Sequence, residues 1–436
     1  MPRLPTIVNS EEHDLIRYNL RAETFFSGFN GVFLALAIFV SPVVAVTSFE
    51  ATPLELTILV SAFPVGAFLG PVWAFLGRHW GMQKLVTQMA LWANIPLFFV
   101  FFLDRQTDSA YFTALITLSQ LFNSAMRMGQ SSMYRVMYPR ELRGFVLGRL
   151  TFWSYLTMVP SILATGWLLD KSLAMYQILY PLAGMCGLVS CLYYSMLHVP
   201  PHKVPRPSSA NWRESLRGVQ HILSQDRAYF LFQFAFFLSG SAFFMSTHII
   251  LLLTHKRFGF SAFELSLWMS VMPQLLLTLA SPAWGKILDR HGIVHCRLII
   301  SFLMIAYLGS YLFGVVSGVA WFIYLGSILQ GLANSGGQLT WLLASSHFAP
   351  RIEDVPLYNG IHFVLNGIRG LVAPWLGSIL LVTAGGPWAI FASVLLTAAS
   401  VPVIMRGLRL DDERDEPVLR VVPAKDEPGP AEKSAG

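Results

Sequence analysis

Twelve apolar runs, each long enough to cross a lipid bilayer, follow one another along most of this 436-residue chain. A spanning α-helix needs about 20 mostly apolar residues, and each run has roughly that length. The runs lie near residues 24–46, 55–77, 82–103, 110–134, 146–169, 174–197, 228–254, 262–288, 296–316, 319–342, 357–381 and 386–406. Because a helix satisfies its own backbone hydrogen bonds in lipid, the pattern predicts an all-α membrane protein with twelve transmembrane helices.

The composition agrees with a membrane protein and argues against a soluble one. Hydrophobic residues make up 54% of the chain and charged residues only 12%, whereas soluble proteins carry about 25% charged residues. The net charge of +6 does not indicate nucleic-acid binding, because the basic residues are scattered between apolar runs and form no continuous stripe. We therefore expect the lipid bilayer as a partner and no nucleic acid.

The basic residues of the loops predict the orientation in the membrane. Apart from Arg127 and Arg369, 24 Lys and Arg residues, Arg297 among them, fall in loops or near the ends of runs on the side of the N-terminus, and 4 fall on the other side. Cytoplasmic loops are the ones enriched in Lys and Arg, so we expect both termini in the cytoplasm of a multi-pass cell-membrane protein. The polar first 23 residues do not read as a cleavable signal peptide, which would have an apolar core.

An internal repeat predicts that the twelve helices form two pseudo-symmetric halves of six. Three pairs of matching residues recur at an offset of 211 or 212 positions, in corresponding helices and loops. The pairs are Asn123-Ser124 with Asn334-Ser335, Pro139-Arg140 with Pro350-Arg351, and Arg78 with Arg290. Such a repeat indicates a parallel duplication about an axis along the membrane normal.

The repeat and the loop lengths together predict five segments. Residues 1–23 form a cytoplasmic N-terminal segment and residues 24–197 the first six-helix half. A proline-containing cytoplasmic linker at 198–227 leads to the second half at 228–406. The charged tail at 407–436 is predicted to be disordered, because it has too little apolar surface to bury.

The segment 285–292, Gly-Lys-Ile-Leu-Asp-Arg-His-Gly, follows the eighth run directly. Together with twelve spans, a duplicated half and a long central loop, it resembles the cytoplasmic loop signature of the major facilitator superfamily. The resemblance implies a secondary transporter that moves a small solute by alternating access. It also assigns gating contacts to Asp289 and Arg290, and to Arg78 in the first half, where Gly77 replaces the expected acid.

Polar side chains inside the predicted spans mark a candidate binding site. A charged residue at mid-span costs about 2.5–3.5 kcal/mol on the insertion scale, so its presence calls for an explanation. Arg127 and Arg369 are the two interior arginines, and each shares one helix face with amide side chains. We predict a substrate-binding cavity lined by Asn30, Asn123, Arg127, Gln274, Asn334, Gln338, His362, Asn366 and Arg369.

The charges within the spans favour an anionic solute. No Asp or Glu falls clearly at mid-depth, and Glu23 is expected at the inner edge of the first helix. Two interior cations without an interior acid suggest that the counter-charge arrives with the substrate, as an anionic or carboxylate-bearing solute with Arg369 as its main anchor. The structural alternatives are that Arg127 extends to the cytoplasmic surface and that the amides only bond neighbouring helices. We do not expect coupling through a mid-membrane carboxylate; His362, Glu23 or an exchange mechanism without a proton would take its place.

Two other classes of protein remain as alternatives. A transporter-derived sensor or assembly partner would keep the fold but would not need the polar lining. A membrane enzyme would need a nucleophile with its base, or a metal cluster, and no span carries a His–Glu or acidic pair at helical spacing. The three cysteines, Cys186, Cys191 and Cys296, lack metal-ligand spacing. We therefore expect no catalytic residue, no metal and no cofactor, in a monomer that binds a small-molecule substrate.

Overall fold

A computed structural model gives the fold and describes residues 10–198, 220–351 and 354–419. Within these ranges the chain is helical and contains no strand, which confirms the predicted all-α class. Most of the predicted linker, the last residues of the predicted tail and the side chain of Arg78 lie outside what the structure describes.

The first six helices, which we call the first group, run from Ser10 to Ser195. Their bounds are α1, Ser10–Leu34, continued by a π-helical turn Ala35–Val40 and by Ser41–Thr47; α2, Pro53–Phe68 and Gly70–Trp80; α3, Met82–Phe99; α4, Ser109–Met137; α5, Arg140–Lys171; and α6, Tyr176–Ser195. The two parts of α2 meet at a bend of 52°. The first helix starts well before the apolar run that predicted it.

The last six helices, the second group, begin at Arg227. Their bounds are α7, Arg227–Phe258; α8, 262–291, with a π-helical turn Ser266–Val271; α9, 293–317; α10, Trp321–Phe348; α11, Val355–Thr383; and α12, Gly386–Leu419. The last helix continues past residue 407, where the sequence predicts disorder. Its charged extension contains good helix formers such as Glu413 and Arg414 and therefore prolongs the helix.

A glycine turn separates α8 from α9. The helical stretch Met272–Ser317 has 46 residues and would be about 69 Å long if straight, more than twice the thickness of a bilayer core. Gly292 breaks it with φ +77° and ψ 171°, a conformation that glycine adopts without steric cost. The stretch therefore folds back as two helices, in agreement with the two separate runs in the sequence.

Hydropathy alone identifies fewer membrane spans than there are helices in the two groups. Eight helices are long and apolar enough to cross a membrane among the residues described, or nine when the bent α2 counts as one span. One of the eight is the stretch Ala262–Ser317, which contains both α8 and α9. The helices α4 and α10 are not apolar enough to be counted as spans by hydropathy, because each carries a polar face, around Asn123 and Asn334 respectively. These are the polar faces that the sequence predicts to line a cavity.

The internal repeat has a structural counterpart at the turns after α2 and α8. Gly81 follows α2 with φ +84° and lies 211 positions before Gly292, which has a similar φ. Trp73 and Trp284 are also 211 positions apart, and both indoles donate a hydrogen bond to a helix carbonyl. Trp73 donates to Gly66 O at 2.7 Å, and Trp284 donates to Leu332 O at 3.0 Å.

The start of α1 marks one face of the helix bundle, which we call the terminal face; we call the other end of the bundle the opposite face. The two groups contact each other at mid-depth and at the opposite face. The hydroxyl groups of Thr57 and Ser378 are hydrogen-bonded across the groups near the opposite face. There the backbone N–H of Phe263 also donates to Asp170 Oδ1 at 3.3 Å.

A close backbone approach also joins the two groups at mid-depth. Gly370 of α11 packs on Pro64 of α2 so tightly that a Cβ at Gly370 would lie 2.3 Å from Pro64 Cβ. Between described residues, every hydrogen bond that joins the groups lies at mid-depth or nearer the opposite face. The groups are thus closed against each other at the opposite face.

Candidate functional site

A cavity of about 620 Å³ lies between the two groups, at mid-depth and toward the terminal face. Five of the nine predicted site residues line it, and all five belong to the second group: Gln274, Asn334, Gln338, Asn366 and Arg369. A smaller cavity of about 180 Å³ lies nearer the opposite face and shares Gln274 and Asn334 with the larger one. No Asp or Glu is among the residues that line either cavity.

Arg369 is buried in the wall of the larger cavity, with 6% of its surface exposed. Its Nε and Nη2 donate to Asn366 Oδ1 at 3.1 and 2.6 Å, and its Nη1 donates to Phe236 O at 2.8 Å. The guanidinium carbon lies 4.5 Å from the centre of the Phe236 ring. All these partners are neutral, so the charge of Arg369 has no described counter-ion.

Gly240 makes the position of Arg369 possible. A Cβ at Gly240 would lie 2.2 Å from Arg369 Nη1 and 2.5 Å from its Cζ. Only glycine leaves room for the guanidinium against the backbone of α7, and this explains how the side chain reaches the Phe236 carbonyl.

Arg297 is a cavity residue that sequence reasoning missed. The sequence analysis counted it among the basic residues of a loop, but α9 begins at residue 293 and Arg297 is buried within it, with 3% exposed. Its Nη2 donates to Ser239 Oγ, and its guanidinium carbon lies 4.0 Å from the centre of the Phe236 ring. The signal that could have placed it is Gly292, since a turn there starts the next helix one residue later.

Tyr155 was also missed, and it is the polar link between the groups inside the cavity. Its hydroxyl group donates to Gln274 Oε1 at 3.0 Å, which joins α5 to α8. Both residues line the larger cavity. A tyrosine within an apolar run gives no sequence signal of this role, because aromatic residues are common in spans that only face lipid.

The other predicted residues are not among those that line the larger cavity. Asn30 and Asn123 are buried, and the amide atoms of Asn123 have no partner among the described residues. His362 is buried with its Nδ1 at 3.0 Å from Gln233 Oε1. Arg127 is exposed, makes no hydrogen bond or ion pair with a described residue, and is near enough to Tyr155 to interact electrostatically.

Glu23 is buried inside the first group. It is thirteen residues into α1, is fully buried, and accepts a hydrogen bond from the hydroxyl group of Tyr138 at the end of α4. Its other carboxyl oxygen has no partner among the described residues. Glu23 is not among the residues that line either cavity.

The predicted gating residues lie at the terminal face. Asp289 and Arg290 are exposed at the end of α8, and neither makes an ion pair with a described residue. Gly77, which stands where the family has an acid, is buried, and a Cβ there would lie 2.9 Å from Met82 Cε. A carboxylate side chain at this position would therefore displace Met82, which packs between α2 and α3. In the ranges the structure covers, no three His, Cys, Asp or Glu side chains cluster as metal ligands.

Comparison with known families decides what kind of protein carries this cavity. A model of the Major Facilitator Superfamily matches residues 24–324 and 257–431. The chain belongs to the major facilitator superfamily. Its members are transporters, so the membership confirms the resemblance noted in the loop after α8 and supports a small-molecule substrate and a bilayer environment.

Solved structures of this superfamily share the fold. A variant of the nucleoside transporter NupG superposes with a TM-score of 0.70 at 13% identity, over 90% of this chain and 99% of that chain. A POT peptide transporter in complex with sulfate gives 0.69 at 12% identity, over 93% and 99%. A D-xylose–proton symporter gives 0.61 at 11% identity, over 90% and 97%. No curated protein matches the chain, and these identities establish the fold alone.

Proposed function

We propose that this superfamily member is a secondary active transporter that moves a small anionic organic solute, such as a carboxylate, by alternating access. The observation that carries the proposal is the cavity between the two groups, with two buried arginines and no lining acid. A buried guanidinium must recover several kcal/mol of lost hydration from its partners, and neutral acceptors recover only part of it. A carboxylate that enters with the solute is the counter-charge that completes the site.

The closed opposite face supports alternating access. If the basic loops lie in the cytoplasm, then the terminal face is cytoplasmic and the cavity faces inward in this conformation. The two halves, 24–197 and 228–406, would rock about the cavity, with the linker 198–227 joining them in the cytoplasm. We further propose that Asp289, Arg290 and Arg78 form contacts when the terminal face closes, which is consistent with the exposure of Asp289 and Arg290 here.

A reversible lock at the opposite face tests this mechanism. Thr57 and Ser378 are in hydroxyl contact across the groups, so a Thr57→Cys/Ser378→Cys variant should form a disulfide on oxidation. In proteoliposomes we expect uptake of a labelled carboxylate mixture to stop on oxidation and to return on reduction. Each single-cysteine variant serves as the matched control and should be insensitive to oxidation.

Two outcomes would contradict the proposal. One is uptake that persists in the oxidised double variant, because a locked face excludes alternating access. The other is carboxylate uptake no faster than in protein-free liposomes. The topology is tested separately: reporter fusions at residue 210 and at the C-terminus should both report the cytoplasm, and a reporter on the other side would overturn the assigned orientation.

A further inference from the structure

Two arginines from different helices share one aromatic ring in the wall of the larger cavity. Arg297 comes from α9 and Arg369 from α11, and their guanidinium carbons lie 4.0 and 4.5 Å from the centre of the Phe236 ring. Cation–π contacts of this kind are favourable, but a single ring cannot neutralise two charges. The two guanidiniums are also close enough to repel each other electrostatically.

The neutral partners of the two arginines leave donor capacity unused. A guanidinium has five N–H groups, and Arg297 uses only Nη2, toward Ser239 Oγ. Its Nε is buried and has no partner among the described residues, and its Nη1 makes no hydrogen bond with them. Arg369 is bound to Asn366 and to the Phe236 carbonyl, and each of its terminal nitrogens keeps a second N–H.

We propose that Arg297 and Arg369 together bind one organic dianion, which carries either two carboxylates or one phosphate monoester. A monoanion would leave one of two neighbouring buried cations uncompensated, whereas a dianion neutralises both. Carboxylate and phosphate both accept the two-pronged contacts that guanidinium donors offer. This inference rests on the proposed transport function and names its class of substrate.

The rest of the cavity fits a flat apolar body attached to the charged groups. Tyr155, Phe243, Phe244 and Trp341 all line the same space, and its volume of about 620 Å³ is that of a small-molecule site. The smaller cavity beyond Gln274 is lined mainly by apolar side chains. An aromatic dianion would therefore place its ring on these side chains and its charges on the arginines.

Binding to the purified full chain in detergent tests the proposal without requiring transport. Thermal shift titrations would compare four probes that share a phenyl ring: phthalate, phenyl phosphate, benzoate and the neutral benzamide. We expect at least one dianion to bind at least about tenfold more tightly than benzoate, and benzamide not to stabilise the protein. If phthalate binds more tightly than phenyl phosphate, the site prefers a dicarboxylate; the reverse order indicates a phosphate monoester.

Variants then assign the preference to the arginine pair. In Arg297→Gln the preference for the dianion over benzoate should fall to within about twofold, because one charge is gone. Arg297→Lys keeps the positive charge but loses the planar, two-pronged arrangement of guanidinium donors, and should therefore retain only part of the preference for the dianion. Gly240→Ala keeps both charges but displaces the Arg369 guanidinium, and should weaken dianion binding as well. Arg406→Gln, at an exposed position on α12, is the matched control.

The outcomes separate this inference from the proposed function. Equal stabilisation by benzoate and the dianions, no stabilisation by either dianion, or a full dianion preference in Arg297→Gln would each overturn the dianion assignment. Uptake of a monocarboxylate in proteoliposomes would then leave the transport proposal standing. Conversely, dianion binding without any uptake would support the site and contradict transport.

Discussion

The two six-helix groups line the same central space with different chemistry. The second group supplies Arg297, Arg369 and the amides Asn334, Gln338 and Asn366. Among the side chains that the structure describes, the first group supplies only Thr151 and Tyr155 to the larger cavity, and apolar residues such as Phe39 and Val60 to the smaller one. The difference suggests that the second group holds the solute and that the first group closes over it.

The ends of α2 and α8 show the same asymmetry at equivalent positions. Asp289 is exposed at the terminal face, while Gly77, 212 positions earlier, is buried against Met82. The turn glycines Gly81 and Gly292 keep the same left-handed backbone. The turn is thus common to both groups, whereas the acid stands only in the second group and the equivalent position of the first is a buried glycine.

The largest expected effect compares one arginine from each group. Arg369→Ala should weaken binding of the preferred anion by about 2–5 kcal/mol, because it removes a buried, hydrogen-bonded charge from the contact. Arg369→Lys should recover part of this loss. Arg127→Ala should cost less, since this side chain does not line the larger cavity and makes no hydrogen bond with a described residue. Isothermal titration calorimetry on folded, monodisperse protein measures the binding free energy of each variant. Equal losses of binding in Arg369→Ala and Arg127→Ala would show that the two groups contribute equally to anion binding.

The second prediction concerns an acidic residue introduced at position 77, where the first group has glycine. Gly77→Asp should lower the free energy of unfolding by about 1–3 kcal/mol, because the new side chain overpacks against Met82 and Leu85. Gly144→Asp is the matched control, since nothing lies within 4 Å of its Cβ position near the start of α5. Thermal melts of both variants provide the measurement. An unchanged melting temperature in Gly77→Asp would show that packing does not explain the missing acid.

The third prediction concerns the acid of the second group. Asp289→Asn should slow transport by about tenfold, equivalent to 1.4 kcal/mol in a rate-limiting step, by weakening contacts made when the terminal face closes. The exposure of Asp289 predicts that binding affinity and thermal stability stay near those of the parent. Initial uptake rates in proteoliposomes, with equal amounts of inserted protein, give the comparison. An uptake rate equal to that of the parent protein would show that Asp289 does not take part in gating.

The smallest expected effect is that of the polar link supplied by the first group. Tyr155→Phe removes the hydroxyl group that donates to Gln274 and should weaken solute binding by about 0.5–1.5 kcal/mol. Tyr111→Phe, at an exposed position on α4, is the control and should have no effect. A loss in Tyr155→Phe as large as that in Arg369→Ala would show that both groups share recognition.

The sequence by itself determined the class of fold, the repeat and the presence of Arg369 in a span. These features depend on local, one-dimensional costs: lipid demands apolar runs of a set length, and a charge inside such a run is conspicuous wherever it points. The same reasoning predicted that polar faces occur on α4, α10 and α11. It could not say which face of each helix meets the cavity; Asn30 and Asn123 are buried and are not among the residues that line the larger cavity.

Only the tertiary structure decided how the site is assembled. Arg297 and Arg369 meet at Phe236, and Tyr155 meets Gln274, across sequence separations of 61 to 133 residues. Such contacts depend on helix rotation, on kinks such as the turn at Gly292, and on small residues such as Gly240 that let a side chain approach a neighbouring backbone. None of these is a property of one helix alone, because each is fixed by how two or more helices pack together.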